Sequence, residues 1–164
     1  MRKVKSFQIR LEAERLWLRN EFRLLGSDEI KDFVIQLELV EGKTHLTPIR
    51  YDIRHNHFHR DLINPQGNSV EKKKFAVQSL EEAVELSIDD LISNWKSLVT
   101  ICGYNIPALN TKSLPEDTMQ KAKEYLLNLI QHPEKINEVP SIVELTISDY
   151  GVGIDSVMVE KNNW

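Results

Sequence analysis

The chain has 164 residues, 41% of them hydrophobic and 28% charged, the proportions of a folded domain large enough to bury a core. No apolar run approaches the ~20 residues of a membrane-spanning helix, and a net charge of −4 argues against a general nucleic-acid binder. A lone cysteine, Cys102, leaves no internal disulfide, and charges interrupt every apolar stretch of the basic N-terminus. These features read as a cytoplasmic protein with no signal peptide and no membrane partner.

Residues 8 to 25 read as a helix, because Leu11, Arg15, Leu18, Phe22 and Leu25 recur at the 3.6-residue period and Gly26 stands where a left-handed cap belongs. The alternation of Phe7, Ile9 and Leu11 is a competing strand signal. From Asp32 to Val40 the period is two, with Phe33, Ile35, Leu37 and Leu39 on one side. Glu41-Gly42-Lys43 then marks a turn, and Ile49, Tyr51 and Ile53 resume the alternation, so a hairpin is expected over 32–40 and 47–54. Pro48, which cannot donate to a ladder, belongs at a strand start or an edge. The strand is expected to break near Arg54–Asn56. The stretch Asn64–Asn68 is turn chemistry, and a third strand follows over about 70–78.

Ser79 and Glu82 form a capping box ahead of an apolar stripe of Val84, Ile88, Leu91, Trp95, Leu98 and Cys102, closed by Gly103. That helix should cover the sheet. Ser113, Pro115 and Glu116 repeat the start signal for a helix through Met119, Ala122, Leu126, Leu129 and Ile130, which Pro133 stops. Two alternating runs, 142–147 and 152–159, read as a C-terminal hairpin. The expected class is α+β: an antiparallel sheet with a covering helix, then a C-terminal helix and β-hairpin. We read one domain, divisible into a body of residues 1–104 and an appendage of 105–164.

One stretch is not ordinary core or loop. Arg50 to Asp61 reads RYDIRHNHFHRD and holds three of the five histidines, His55, His57 and His59. From Lys43 to Lys74 there are seven Lys/Arg against three Asp/Glu, a local +4 that leaves −8 for the rest of the chain. A basic face on an acidic body could meet phosphates. By itself the triplet Lys72-Lys73-Lys74 reads as a solvated strand face.

Histidine transfers protons near neutrality and is also the commonest metal ligand. No metal is expected, because candidate ligands crowd between Asp52 and Asp61 with no second spaced pair, and Arg54 and Arg60 would repel a cation. His55-Asn56-His57 spells HNH, but that nuclease signature spreads its residues over a larger motif. Cys102, on the helix stripe, reads as a buried, inert thiol. Metal-free cleavage of RNA needs a base, an acid and cations for the developing charge. His55 and His59 are the candidate base and acid, with Asp52 orienting a histidine. Arg50, Arg54 and Arg60 would hold phosphate, with Tyr51 and His57 beside them as further binding residues. The alternative is a non-catalytic protein-binding or oligomerising module in which the histidines form a structural network. Neither reading needs a cofactor.

From Phe33 to Trp95 the order strand, turn, strand, RYDxxHxxxHRD, turn, strand, helix resembles small prokaryotic proteins that include the TumE-type toxins of toxin–antitoxin pairs. The resemblance rests on Tyr51, Asp52, His55 and His59, with Arg60 adjacent, and it implies an RNA-directed toxin with an antitoxin partner. The chain lacks the glycine-rich spacer of that pattern between Asp52 and His59, and its helix and hairpin after Leu114 have no counterpart there.

Overall fold

Strands β1 (Arg2–Glu12), β2 (Leu16–Leu25), β3 (Glu29–Glu41), β4 (Thr44–Arg54), β5 (His57–Ile63) and β6 (Ser69–Phe75) follow one another as an antiparallel meander in the computed structural model. Helices α1 (Leu80–Ile101) and α2 (Pro115–Gln131), a 3₁₀ segment Pro133–Glu138, and strands β7 (Ile142–Ile147) and β8 (Ile154–Glu160) complete the chain. The structure describes residues 2–12, 14–26, 29–54, 57–109, 114–147 and 154–160. One eight-stranded sheet results, in the order β6-β5-β4-β3-β2-β1-β7-β8. The fold is α+β as expected, and the sheet is mixed through a single parallel pair, β1 with β7.

The first forty residues correct the expected helix. Residues 8–25 are two long strands, and the turn between them is fixed by Glu12, whose carboxylate accepts from the Glu14 and Arg15 amides at 3.3 and 2.9 Å. Leu16, Leu18, Asn20, Phe22 and Leu24 are all buried, a period-two pattern. A helix would have buried Leu25, which is 44% exposed, and exposed Leu24, which is 1% exposed. Gly26 does adopt a positive φ of 74°, but it ends a strand. The third strand expected over about 70–78 is present as β6, and a strand that was not expected, β5, precedes it.

Elsewhere the local signals operate as read. A two-residue turn at Gly42–Lys43 joins the paired Glu41 and Thr44, with Gly42 at φ 60°. Pro48, expected at a strand start or an edge, instead lies inside the interior strand β4, where the β3–β4 register shifts opposite the interval between Leu37 and Leu39, so its missing N–H costs no ladder bond. Ser79 Oγ accepts from the Glu82 amide at 3.1 Å, and Glu82 returns a bond to the Gln78 amide at 3.0 Å. The second helix start differs. Its cap is Leu114 with no side-chain bond, Ser113 lies outside the described residues, and Glu116 instead accepts from Trp95 Nε1 at 3.1 Å.

The stripe of α1, with Val84, Ile88, Leu91 and Trp95 fully buried, lies against one face of the sheet. Met119, Ala122 and Leu126 of α2 join the same apolar cluster, beside Phe7, Ile9 and Val143. Cys102 is buried there, and burial raises its thiol pKa above the ordinary value, which keeps it in the inert form. The turn of the C-terminal hairpin lies outside the described residues, while β7 and β8 pair antiparallel.

Candidate functional site

A strand sends successive side chains to opposite faces, and that alternation divides the histidine stretch in two. On β4, Ile49, Tyr51 and Ile53 face the helices; on β5, Phe58, Arg60 and Leu62 do. Arg50, Asp52, His57, His59 and Asp61 belong to the other face, which no helix among the described residues covers. The break between Arg54 and His57 decides this. Arg54 and His57 are register partners, so the hairpin reverses the parity that an unbroken strand would have carried to His57 and His59. His55 lies outside the described residues, as does the side chain of Arg54.

On the helix side the polar groups form one network around Asp90. Tyr51 and Arg60 are cross-strand partners, and both reach Asp90 on α1: Tyr51 Oη donates to Asp90 Oδ2 at 2.5 Å and Arg60 Nη1 to the same oxygen at 2.8 Å. Arg60 Nη2 donates to Glu71 Oε1 at 2.6 Å, Asn94 Nδ2 to Asp90 Oδ1 at 2.9 Å, and the Arg60 guanidinium also approaches the Phe75 ring. Burial, then the charge of Asp90, pushes the Tyr51 hydroxyl well above its ordinary pKa. For Asp90 burial works upward, but hydrogen bonds from Tyr51, Arg60 and Asn94 outweigh it and hold the carboxyl below its ordinary value. Burial likewise opposes the Arg60 charge, and Asp90 and Glu71 reverse that, raising its pKa. With Tyr51 fully buried and Arg60 only 6% exposed, the structure holds both on the helix side of the sheet, away from the face of His57 and His59.

The open face carries a second set of groups in cross-strand rows. One row runs Ser6, Glu21, Val34, Asp52, His59, Lys74; its neighbour runs Gln8, Arg19, Gln36, Arg50, Asp61, Lys72. Arg50 Nη2 donates to Asp52 Oδ2 at 3.2 Å, and His59 Nε2 lies 3.2 Å from Asp61 Oδ2. His57 is exposed beside them. A cleft of about 290 Å³ opens at this end, lined by His57, Phe58, His59, Lys74, Phe75 and Ala76. Alternation splits the lysine triplet: Lys72 and Lys74 share the face of the histidines, and Lys73 lies over Phe75 at 5.2 Å from the ring centre.

Chemically, this corner offers two imidazoles two residues apart on one strand, about 6.7 Å along it, with a carboxylate holding one of them and an ammonium opposite. Asp52, expected to orient a histidine, pairs with Arg50, and Asp61 lies at His59. From sequence Asp61 enters only as a candidate metal ligand and Lys74 only as part of a solvated strand face, although their i+2 and cross-strand placement follows once β5 is recognised. No three His, Cys, Asp or Glu side chains among the described residues gather as a metal site. Further along the same face, Glu38, His45, Trp17 and Arg10 form a contact chain: His45 Nδ1 lies 3.0 Å from Glu38 Oε2, and Arg10 lies 4.8 Å above the Trp17 ring.

Fold and site together define an α+β domain with one helix-covered sheet face and one that no described helix covers, the latter bearing a histidine–lysine corner. By its sequence the chain belongs to DUF7718, a family described as a domain of unknown function, whose family model matches residues 1–100. That match takes in β1 to β6 and nearly all of α1, and so the whole corner. Neither the curated proteins nor the solved structures contain a match to the chain.

Proposed function

We propose that this protein is RNA-directed and cleaves the phosphodiester backbone at the His57–His59 corner without a metal ion. The observation that carries the reading is the cleft in which His57, His59 and Lys74 meet, with Asp61 holding His59. His59, oriented by Asp61, takes the proton of the 2′-hydroxyl. The 2′-oxygen bonds to phosphorus, the bond from phosphorus to the 5′-oxygen breaks, and His57 returns a proton to that oxygen. The products are a 2′,3′-cyclic phosphate and a 5′-hydroxyl. Lys74 and the free terminal nitrogen of Arg50 meet the charge that builds on the non-bridging oxygens, the largest electrostatic demand of the step. Two imidazoles borne on residues about 6.7 Å apart along one strand can straddle one phosphate.

The resemblance of Tyr51, Asp52, His55 and His59 to the TumE-type pattern supports the same substrate class and adds an antitoxin-like protein as partner. In this reading Tyr51 and Arg60 serve by fixing β4 and β5 against α1 rather than by touching RNA. The test is a defined single-stranded oligoribonucleotide incubated with the protein and EDTA, with product ends read by mass spectrometry. Cyclic phosphate ends are expected. Intact RNA, or the same products from a His57→Ala/His59→Ala variant, rules the chemistry out.

A second reading has its own observation. Arg50 and Arg60, both nominated as phosphate ligands, are ion-paired within the chain, as a structural network would have them. A non-catalytic partner-binding or oligomerising module is then expected, and it leaves RNA uncut while the chain associates with itself or a second protein.

A further inference from the structure

Acid–base chemistry uses only part of the cleft at the histidine corner. Of the described residues that line it, His57, His59 and Lys74 carry polar side chains, whereas Phe58, Phe75 and Ala76 carry none. Phe75 also differs from the rest of its strand. Ser69 to Lys74 are all exposed and Glu71 to Lys74 are all charged, while Phe75 ends β6 with an aromatic ring that the core covers only in part.

Rings from three neighbouring strands lead to this position. Tyr51 on β4 stacks with Phe58 on β5 at 6.4 Å and 27°, and Phe58 meets Phe75 on β6 at 5.3 Å and 35°. Tyr51 and Phe58 are buried, so Phe75 ends the series as the ring within reach of solvent. The Arg60 guanidinium and the Lys73 ammonium lie over Phe75 at 5.9 and 5.2 Å. Both stand in the cross-strand row of Tyr51, the next row inward on the same side of the sheet. The cations therefore approach from the sheet interior, and the flank of the ring towards Ala76 and the cleft is left to a ligand.

We infer that this cleft is a subsite for one nucleobase, stacked on Phe75 beside the phosphate held between His57 and His59. The inference rests on the RNA-directed reading and deepens it by naming the part of the substrate that is gripped besides the phosphate. A nucleobase suits a lining of this kind because its face is apolar and its edge is polar. Stacking on an aromatic side chain holds unpaired bases of any identity. Alternation puts the histidines and Phe75 on opposite sheet faces, so the cleft joins the two faces round the strand ends and the sugar crosses between them. Its volume of about 290 Å³ is at the small end of the ~300–1,000 Å³ of ligand sites, room for one nucleotide and not for a run. Phe58 holds the platform ring from the core side, which lowers the ordering cost of binding. A base stacked inside a duplex offers no free face, so the substrate form is single-stranded.

The experiment is an NMR chemical-shift titration of the full chain, in EDTA, with 2′-O-methyl dinucleoside monophosphates. These carry one phosphate and cannot be cleaved by 2′-hydroxyl attack. The intact probe is compared with one lacking the 5′ base and one lacking the 3′ base. Loss of one base is expected to weaken binding by about tenfold, inside the range for base–aromatic stacking, and loss of the other to change it little. Phe75→Leu should weaken the intact probe by the same factor and leave the sensitive abasic probe unchanged. Phe75→Tyr keeps a ring and should bind as the wild type does. Equal binding of all the probes by the wild type overturns the subsite without recourse to a variant, and so does an intact probe that fails to bind. Equal weakening of intact and abasic probes by Phe75→Leu overturns it too, since a ring that only supports the fold acts on every probe alike. Base-dependent binding beside uncut natural RNA supports the subsite and removes only the cleavage chemistry. Cleavage with base-independent binding removes only the subsite.

Discussion

Tyr51 and Arg60, partners across the β4–β5 pair, converge on one oxygen of Asp90, 2.5 and 2.8 Å away. That three-way contact ties the middle of the sheet to α1 and turns Arg60 away from the open face. Replacing Asp90 by Ala leaves a buried guanidinium with Glu71 as its remaining charged partner. The expected loss is about 3 kcal/mol, since an uncompensated buried charge costs more than the pair contributed. Urea denaturation of the variant checks it, and a loss under about 1 kcal/mol would mean that water reaches Arg60 easily.

The same network gives stability a pH signature at both ends. Asp90 has a depressed pKa in the folded chain, so its contribution is present above the ordinary carboxylate range, about pH 4, and is lost as pH falls through the lower folded value. Tyr51 is raised, so its contribution is present below about pH 10 and is lost as pH climbs towards the higher folded value. Tyr51→Phe should cost about 1 kcal/mol at neutral pH by removing one hydrogen bond. It should also flatten the alkaline limb of a melting-temperature profile; an unchanged limb would place the alkaline loss elsewhere.

Trp95 is the joint between the two helices, its ring buried and its Nε1 bonded to Glu116. Trp95→Ala should destabilise the whole chain by about 3–5 kcal/mol. A single cooperative transition that shifts as one, read by circular dichroism, is the expected result. A separate early transition for the C-terminal part would show that α2 is held by other contacts.

Some of this architecture was visible in the residues and some was hidden for identifiable reasons. The α1 stripe was legible because its period, its capping box and Gly103 agree. β1 and β2 were not. The inward positions Phe7, Ile9 and Leu11 slip phase across the Glu12–Arg15 turn before Leu16, Leu18 and Phe22 resume, and the slipped series imitates a 3.6-residue spacing. β5 was missed because its helix-facing side includes Arg60, whose compensating Asp90 is 30 residues away in sequence. For the site, the composition of the 50–61 stretch was readable, but its division between two faces depends on the Arg54–His57 register.

Asp61 is expected to position His59 rather than to touch RNA. Asp61→Ala should lower kcat for cleavage by about tenfold or more, the scale of a disturbed general base, while KM stays equal or falls because a carboxylate that repels phosphate has left the corner. Steady-state kinetics on a short oligoribonucleotide separates the two parameters. A rise in KM with kcat intact would make Asp61 a substrate-binding group instead.

The central claim is that His57 and His59 carry metal-free chemistry on RNA, and the initial cleavage rate of single-stranded RNA in excess EDTA measures it most directly. The wild-type chain should cut, with 2′,3′-cyclic phosphate ends, and the His57→Ala/His59→Ala variant should be slower by about a hundredfold or more with an unchanged melting temperature. Equal rates for the two proteins, or no cutting by the wild type, would contradict the account.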